Sequence, residues 1–547
     1  MSFSDKTDLE KPAIDVTQPV PTSHPPAIWF FFWGELAERS SYYGMRAILF
    51  LYMTKALHMT ATSATPAYSA FKMACYFLPL VGGVIADRWL GRYWTIVGFS
   101  VPYVLGHFIL GIPNEIAMFV ALALLAGGSG VIKPNISTLM GQTYDQKRPG
   151  QHQLRSAAFL WFYFAINVGA LASQLFLPEI RQRYMLANLG PVELAQAQEL
   201  LKEGKDITPV VPEDIVKTAY GVAFQFPAWL MVGSLAIFAA GKRFYAVEKL
   251  EYQPLTPAER RLQWQTLIRL FGIFGLVVLF WFGYEHNDTL WVAFIGDYVD
   301  LNVQLPFVSK TIAPDQLQFI NALFVLILVP VFNFTFAYLD PKAVIFTPMR
   351  KVLAGFLLTA TAVGIMSVAG FLVQGHTATV IEGGKSVDVS TVKVSALWPA
   401  MAYVVLTFGE VLLYGTMLEL AYTAAPKSMK GFVTACFLLT NTLGNFLNML
   451  WTPLYGGSLS DPAADRGALL PGPFFGLTAL AVLFAAVAFV FIGKRFERGQ
   501  AEAEALGGLE NWEPGKWQPG QDNQSSPGSG DPRIQPRNEE TGLTPES

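Results

Sequence analysis

Residues 34–50 read GELAERSSYYGMRAILF, inside an apolar run from Trp29 to Leu57. Four charges, Glu35, Glu38, Arg39 and Arg46, stand where the run predicts a membrane helix. A charge at the centre of a bilayer costs from about 2.5 to over 10 kcal/mol. On a helix, Glu35, Glu38 and Arg39 fall at i, i+3 and i+4 and share a face. Arg46 lies seven residues beyond Arg39 on that face, and Tyr43 lies four beyond it. Such a stripe cannot face lipid; it lines a bundle interior or a wet cavity. A lone Glu–Arg pair would read as a structural bridge, whereas four charges on one face read as functional.

The rest of the chain agrees with a membrane setting. Its 547 residues are 52% hydrophobic and only 14% charged, against about 25% charged in soluble domains. A net charge of −3 gives no nucleic-acid footprint. Cys75 and Cys436 lie in apolar segments and imply no disulfide framework. Residues 1–27 are polar and Pro-rich, with no apolar leader core. Apolar windows of about 20 residues mark twelve spans. They fall near 28–56, 66–87, 93–112, 115–140, 155–178 and 219–241, then 266–286, 316–339, 344–374, 396–424, 431–455 and 471–493.

The expected fold is therefore an all-α polytopic membrane protein. Basic residues cluster in alternate loops, at Arg88 and Arg92, Lys147 and Arg148, Lys242 and Arg243, and Lys494 and Arg495. The positive-inside rule then puts both termini in the cytoplasm. The opposite loop 179–218 also carries basic residues, but long loops count less. The polar, basic segment 242–265 separates six spans from six, as in transporters with pseudo-symmetric halves. The expected organisation is a cytoplasmic tail (1–27), a six-helix bundle (28–241), a cytoplasmic linker (242–265), a second six-helix bundle (266–494) and a disordered cytoplasmic tail (495–547).

More intramembrane polar groups follow. Lys133 sits in GGSGVIKPNIS (127–137), where Gly127, Gly128 and Gly130 allow close helix approach and Pro134 can kink the span. A partner carboxylate is expected for it. Lys72 lies about two turns into its span and reads as a snorkelling lysine. FWFGYEHND (280–288) places Glu285 and His286 near the outer end of span seven. TFGEVLLYGTMLEL (407–420) places Glu410 near the middle of span ten. Paired with Lys133, Glu410 reads as a gate; unpaired, as a proton site. Asn167 and Asn321 add amides, which alone read as helix–helix glue. The chain contains no H-E-x-x-H and no G-x-S-x-G, and GGKS at 383–386 has Thr379 where a P-loop needs its first glycine. The six histidines lack metal spacing. The expectation is no enzyme, no cofactor and no metal.

Three stretches together resemble the proton-dependent oligopeptide transporter (POT/PTR) family of the major facilitator superfamily. They are Glu35-Leu36-Ala37-Glu38-Arg39 with Tyr42-Tyr43-Gly44 and Arg46, GGVIADRWLGR (82–92), and FLWFYFAINVGAL (159–171). The resemblance covers about residues 28–494. It implies the major facilitator fold, with 12 transmembrane helices in two six-helix bundles. It also implies a proton-coupled symporter importing di- and tripeptides by alternating access. By the same resemblance, Arg46 and Lys133 would bind the peptide carboxylate, with Arg39 close by. Glu285, Asn321 and Glu410 would bind the amine, and Tyr43, Tyr76 and Asn167 the peptide backbone. Glu35, Glu38, Arg39 and Glu285 would couple protons. Lys133 with Glu410, and Arg46 with the Glu285–His286 region, would be salt bridges closing the cytoplasmic side.

Some positions depart from the family pattern. Tyr414-Gly415 stands where Ser-Pro is common, Phe437 where Trp is common, and His286 where an acid or amide is common. The segment between spans six and seven is too short for two extra helices found in many bacterial members. The alternatives are a carrier of a non-peptide solute and a substrate sensor; nitrate-type relatives lose the glutamates that this chain keeps. The expected partners are a di- or tripeptide, protons and the lipid bilayer, with no nucleic acid, and the expected state is a monomer. Lean loops and the lack of a cleavable leader favour a bacterial inner membrane.

Overall fold

Pro26 sits at the N-cap of helix α1 (Ala27–Leu51), where a missing N–H removes no intrahelical bond. The helix runs on through the charged stripe because, inside a bilayer, every backbone polar group has to be satisfied within its own segment. The computed structural model describes residues 23–247, 257–305, 308–339, 345–382, 385–423, 430–456 and 468–505. The first half continues with α2 (Ala61–Ile85), α3 (Arg92–Leu110), α4 (Glu115–Lys147), α5 (His152–Ala187), the short α6 (Pro191–Lys202) and α7 (Glu213–Ala240). The second half has α8 (Pro257–Tyr284), the short α9 (Leu290–Tyr298), α10 (Phe319–Leu339), α11 (Pro348–Val373), α12 (Leu397–Thr423), α13 (Lys430–Trp451) and α14 (Pro471–Ala505).

Local chemistry sets several of these ends. Thr60 caps α2 by accepting from Ser63 N at 3.1 Å. Asn114 caps α4 by accepting from Ile116 N and Ala117 N at 2.9 and 3.1 Å, and each such cap contributes about 1 kcal/mol. The 82–92 motif ends α2 in a π-turn, Ala86–Leu90, and Gly91 then takes a φ of 74° before α3 begins. That left-handed angle suits glycine.

Twelve of the helices run 19 residues or more. Among the described residues, ten are long and apolar enough to cross a membrane. The other two long helices are polar in one stripe: α1 carries its four charges, and α13 carries Asn441, Asn445 and Asn448, all buried. Helices α1–α5 and α7 pack among themselves, and so do α8 and α10–α13. Helix α14 joins the second group: Val482 touches Gly283 of α8, and Gly472 touches Gly370 of α11. The groups meet where α2 packs on α13 and α5 on α10. This is the two-bundle major facilitator architecture. Of the three glycines expected to allow close approach, two do so. A Cβ on Gly128 would lie 2.3 Å from Tyr103 Cβ, and one on Gly130 would lie 2.8 Å from Leu78 Cβ, but Gly127 has nothing within 4 Å.

Three sequence boundaries move. Helix α5 extends to Ala187 rather than stopping near 178, because its polar end protrudes past the apolar window. The expected loop 179–218 contains α6. Helix α14 continues to Ala505, so the tail expected from 495 begins with helix, while 506–547 lie outside the described residues. Residues 1–22 and 248–256 also lie outside them, so the N-terminal tail and the middle of the linker carry no structural statement. On the far face, where α1, α8 and α11 finish, lie short strands: β1 (Val299–Asp300), β2 (Asn302–Leu305), β3 (Val308–Thr311), β4 (Thr377–Glu382), β5 (Lys385–Ser390) and β6 (Val394–Ser395). The pairs β2–β3 and β4–β5 are antiparallel, and β1–β6 is parallel.

Candidate functional site

The sequence stripe forms a ladder within α1. Arg39 Nε lies 2.6 Å from Glu35 Oε1 and 2.7 Å from Glu38 Oε2, and all three side chains are buried. The helical spacing alone builds this cluster. With both carboxylates ionised it holds two negative charges against one positive, so one proton would balance it.

A second cluster joins the halves. Arg46 Nη2 donates to Asp288 Oδ2 at 2.5 Å, and Arg46 Nε donates to the Tyr68 hydroxyl at 3.2 Å. The guanidinium also lies 5.6 and 5.4 Å from the Tyr42 and Tyr43 ring centroids. Lys72 of α2 donates to the same Asp288 oxygen at 2.7 Å and to Glu285 Oε2. Glu285 Oε1 accepts from Asn441 Nδ2 of α13 at 2.8 Å. Asp288 and Glu285 belong to a 3₁₀ turn, Glu285–Asp288, directly after α8. Two cations from the first half therefore meet two anions from the second.

Two expectations are corrected here. Lys72 does not snorkel: it is 2% exposed and held by two carboxylates. The Arg46 bridge forms to Asp288, two residues past the Glu285–His286 pair expected, because the 3₁₀ turn after α8 carries Asp288 to the end of the bundles where Arg46 lies, in the last two turns of α1.

The expected Lys133–Glu410 bridge is not made in this state. Lys133 Nζ lies 3.6 Å from the Tyr42 ring centroid and 5.9 Å from that of Tyr76. Among the described residues it makes no ion pair. Glu410 Oε2 accepts from Asn321 Nδ2 at 2.7 Å, and that amide also donates to the Thr407 hydroxyl at 3.0 Å. A cavity of about 310 Å³ opens between α5, α10 and α12, with Tyr163, Glu410 and Tyr414 in its wall. The Asn167 amide turns back on its own helix, donating to Tyr163 O at 2.9 Å. His286 is fully buried between the rings of Phe282 and Phe474, and neither of its nitrogens has a hydrogen-bond partner among the described residues.

The sequence reading missed four groups. Asp288 stands inside the quoted nonapeptide 280–288, three residues past Glu285. Asn441 begins a run with Asn445 and Asn448, spaced four and three, which is a buried helix face in sequence form. Arg181 and Asp315 form a two-pronged pair: Nη1 to Oδ2 at 2.5 Å and Nη2 to Oδ1 at 3.0 Å, both residues buried. Asp315 lies in the 3₁₀ turn Pro314–Gln318 before α10. From that turn Gln316 donates to Leu175 O of α5 at 3.1 Å and Gln318 to Ala47 O of α1 at 3.2 Å. The far face is thus closed by two separate polar layers.

The chain is similar to known proteins. Human solute carrier family 15 member 2 is 29% identical over 405 residues, spanning 65% of this chain and 51% of that protein. Drosophila melanogaster peptide transporter family 1 is 30% identical over 386 residues, 63% of this chain and 47% of that protein. The chain thus spans about half the length of the relatives it matches. Among solved structures, the POT family transporter PepTSo superposes with a TM-score of 0.68 at 24% identity, covering 87% of this chain and 99% of that one. A POT family transporter in complex with 5-aminolevulinic acid gives 0.66 at 20% identity, over 86% and 97%. The POT family model matches residues 93–265 and 258–461, well over half of the sequence. With its two bundles, its charged first helix and this match, the chain belongs to the POT family of membrane transporters.

Proposed function

We propose that this protein is a proton-coupled symporter that imports di- and tripeptides by alternating access. The observation that carries the reading is the split of charge. The first half offers a half-buried lysine, Lys133, that makes no ion pair among the described residues, and the second half offers Glu410, which among the described residues accepts from the Asn321 amide. A short peptide is a zwitterion and can satisfy both at once. Tyr42 and Tyr76 give Lys133 an aromatic shelf. The peptide transporters among its relatives support the substrate class.

The roles follow from this geometry. Lys133, with Arg46, receives the peptide carboxylate. Glu410 and Asn321 receive the amine, joined by Glu285 once Lys72 releases it. Tyr43, Tyr76 and Asn167 line the path. Glu35, Glu38 and Arg39 store the coupled proton. The cycle alternates between the far-face seal seen here and an inner bridge of Lys133 with Glu410. Both termini lie in the cytoplasm, as the basic loops suggest, with bundles at 28–241 and 266–494 around the linker 242–265. A monomer in a bacterial inner membrane completes the reading. Each proton entering gains about 2.3 kcal/mol per 100 mV and about 1.4 kcal/mol per pH unit, enough to concentrate a solute.

The test is dialanine uptake into proteoliposomes, with and without an inward proton gradient, in wild type and Glu38→Gln. The expected result is gradient-driven accumulation that the variant loses while keeping counterflow exchange. Absence of dipeptide uptake under every gradient refutes the peptide reading and leaves a non-peptide solute or sensing.

A further inference from the structure

Helix α6 ends at Lys202, and the chain just past it returns the Lys205 N–H to Leu200 O at 2.9 Å and the Gly204 N–H to Leu201 O at 3.1 Å, which leaves Lys202 O and Gly204 O for donors from elsewhere. Here the opposite half supplies donors. Asn302 Nδ2 donates to Lys202 O at 2.7 Å, and the Thr311 hydroxyl donates to Leu201 O at 2.7 Å. The Leu301 N–H donates to Gly204 O at 3.1 Å, and Lys393 Nζ donates to that same oxygen at 3.4 Å. Asn302 and Thr311 are paired partners in β2–β3, so the strand register presents both side by side. The β1–β6 pairing, Val299 with Val394, brings Lys393 to the same spot. A cation is favoured at the negative end of a helix dipole. Gly204 has a φ of 65°, and a Cβ there would lie 1.9 Å from Asp300 Oδ1. The contact is fitted to bare backbone.

We propose that the C-terminal turn of α6, capped in trans by Leu301, Asn302, Thr311 and Lys393, is a strap that holds the far face shut and sets how often the protein opens outward. The proposal rests on the alternating-access reading. Parting the halves on this face breaks all four bonds, two at the end of α6 and two at the Gly204 turn after it, and returns the Lys202 and Gly204 carbonyls to water. The strap lies outside the charged seal and touches no residue assigned to the peptide, so its effect does not depend on which solute occupies the cavity. Asn302, Thr311, Gly204 and Lys393 are positioning residues. Each bond is a modest net contribution, and loss of the two side-chain donors on β2 and β3, Asn302 and Thr311, multiplies the outward-open to closed ratio by about ten.

The experiment is pulsed electron resonance on the full chain in proteoliposomes, with Cys75 and Cys436 replaced by alanine. Spin labels replace Glu115 and Leu397, exposed positions on this face in opposite halves. The parent is expected to show one short distance. N302A/T311V and Gly204→Val are expected to add a longer component, about tenfold enriched, while Thr311→Ser keeps the hydroxyl and the parental distance. If the double variant does not fold, Thr311→Val alone, with about threefold enrichment expected, decides the question. Parental distances in the folded variants overturn the strap. The labels report separation, not uptake, so absence of dipeptide transport with altered distances would count against the substrate reading and leave the strap standing.

Discussion

Asp288→Asn should unlatch the charged seal. The side chain keeps its shape and loses its charge. In the wild type one Asp288 oxygen serves Lys72 Nζ at 2.7 Å and Arg46 Nη2 at 2.5 Å. With Glu285 included, the cluster sums to zero charge. After the change it carries one uncompensated buried positive charge, and Arg46 keeps only the Tyr68 hydroxyl and two aromatic rings. At such distances each pair attracts by about 6 kcal/mol at an effective dielectric of about 20. Most of that is offset by desolvation, but removing one partner of a buried pair costs about 3–5 kcal/mol. The loss falls on the closed state alone, because opening returns these groups to water. The outward-open share should rise at least a hundredfold. A cysteine at Ser69, three residues from Lys72 on the same helix face, reads this with a membrane-impermeant maleimide in a background free of Cys75 and Cys436. Labelling should accelerate many-fold in D288N and stay slow in Asp288→Glu. A D288N rate within twofold of the parent, in protein that remains monodisperse, would refute the argument that these pairs hold the face closed.

Other outcomes follow from the same geometry. Lys133→Gln removes a half-buried cation that makes no ion pair among the described residues, so thermal stability in detergent should hold or rise, while the KM for dialanine should increase tenfold or more. Arg181→Gln leaves Asp315 charged and buried, costing about 3–5 kcal/mol, whereas R181Q/D315N should recover most of that in a thermal unfolding cycle. Gly128→Ala puts a methyl 2.3 Å from Tyr103 Cβ and should lower stability by about 1–3 kcal/mol, while Gly127→Ala, with open space around it, should change little.

What the sequence revealed follows a physical divide. Hydropathy exposes helices whose solvent is lipid, so the spans were readable apart from ends that protrude into water, as at the exposed Arg183 in α5. The Glu35–Glu38–Arg39 ladder was readable because helical geometry alone makes it. Lys72 was misread because its partners lie 213 and 216 residues away, and depth in a span says nothing about what a distant turn brings. Lys133 and Glu410 pair in a sequence reading because they are lone intramembrane charges of opposite sign, while the fold gives each other neighbours, the Tyr42 and Tyr76 rings for Lys133 and the Asn321 amide for Glu410. The α6 strap was invisible for a different reason: all of its acceptors and one of its donors are backbone groups, which every residue has.

The two charge clusters also differ in when they can form. The Glu35–Arg39–Glu38 ladder is complete as soon as one turn of α1 exists, so Arg39 can enter the bilayer already paired, and one proton balances the cluster. Arg46 has no such companion. Its carboxylate lies 242 residues downstream, and at a synthesis rate of about 5–20 residues per second it waits roughly 12–50 s. Throughout that interval the nascent first half carries unneutralised cations at Arg46 and Lys72. A transient partner has to cover them until the ribosome delivers Asp288: anionic lipid headgroups, the insertion machinery or trapped water. The residues that close the finished transporter are, during its birth, the ones most in need of an escort.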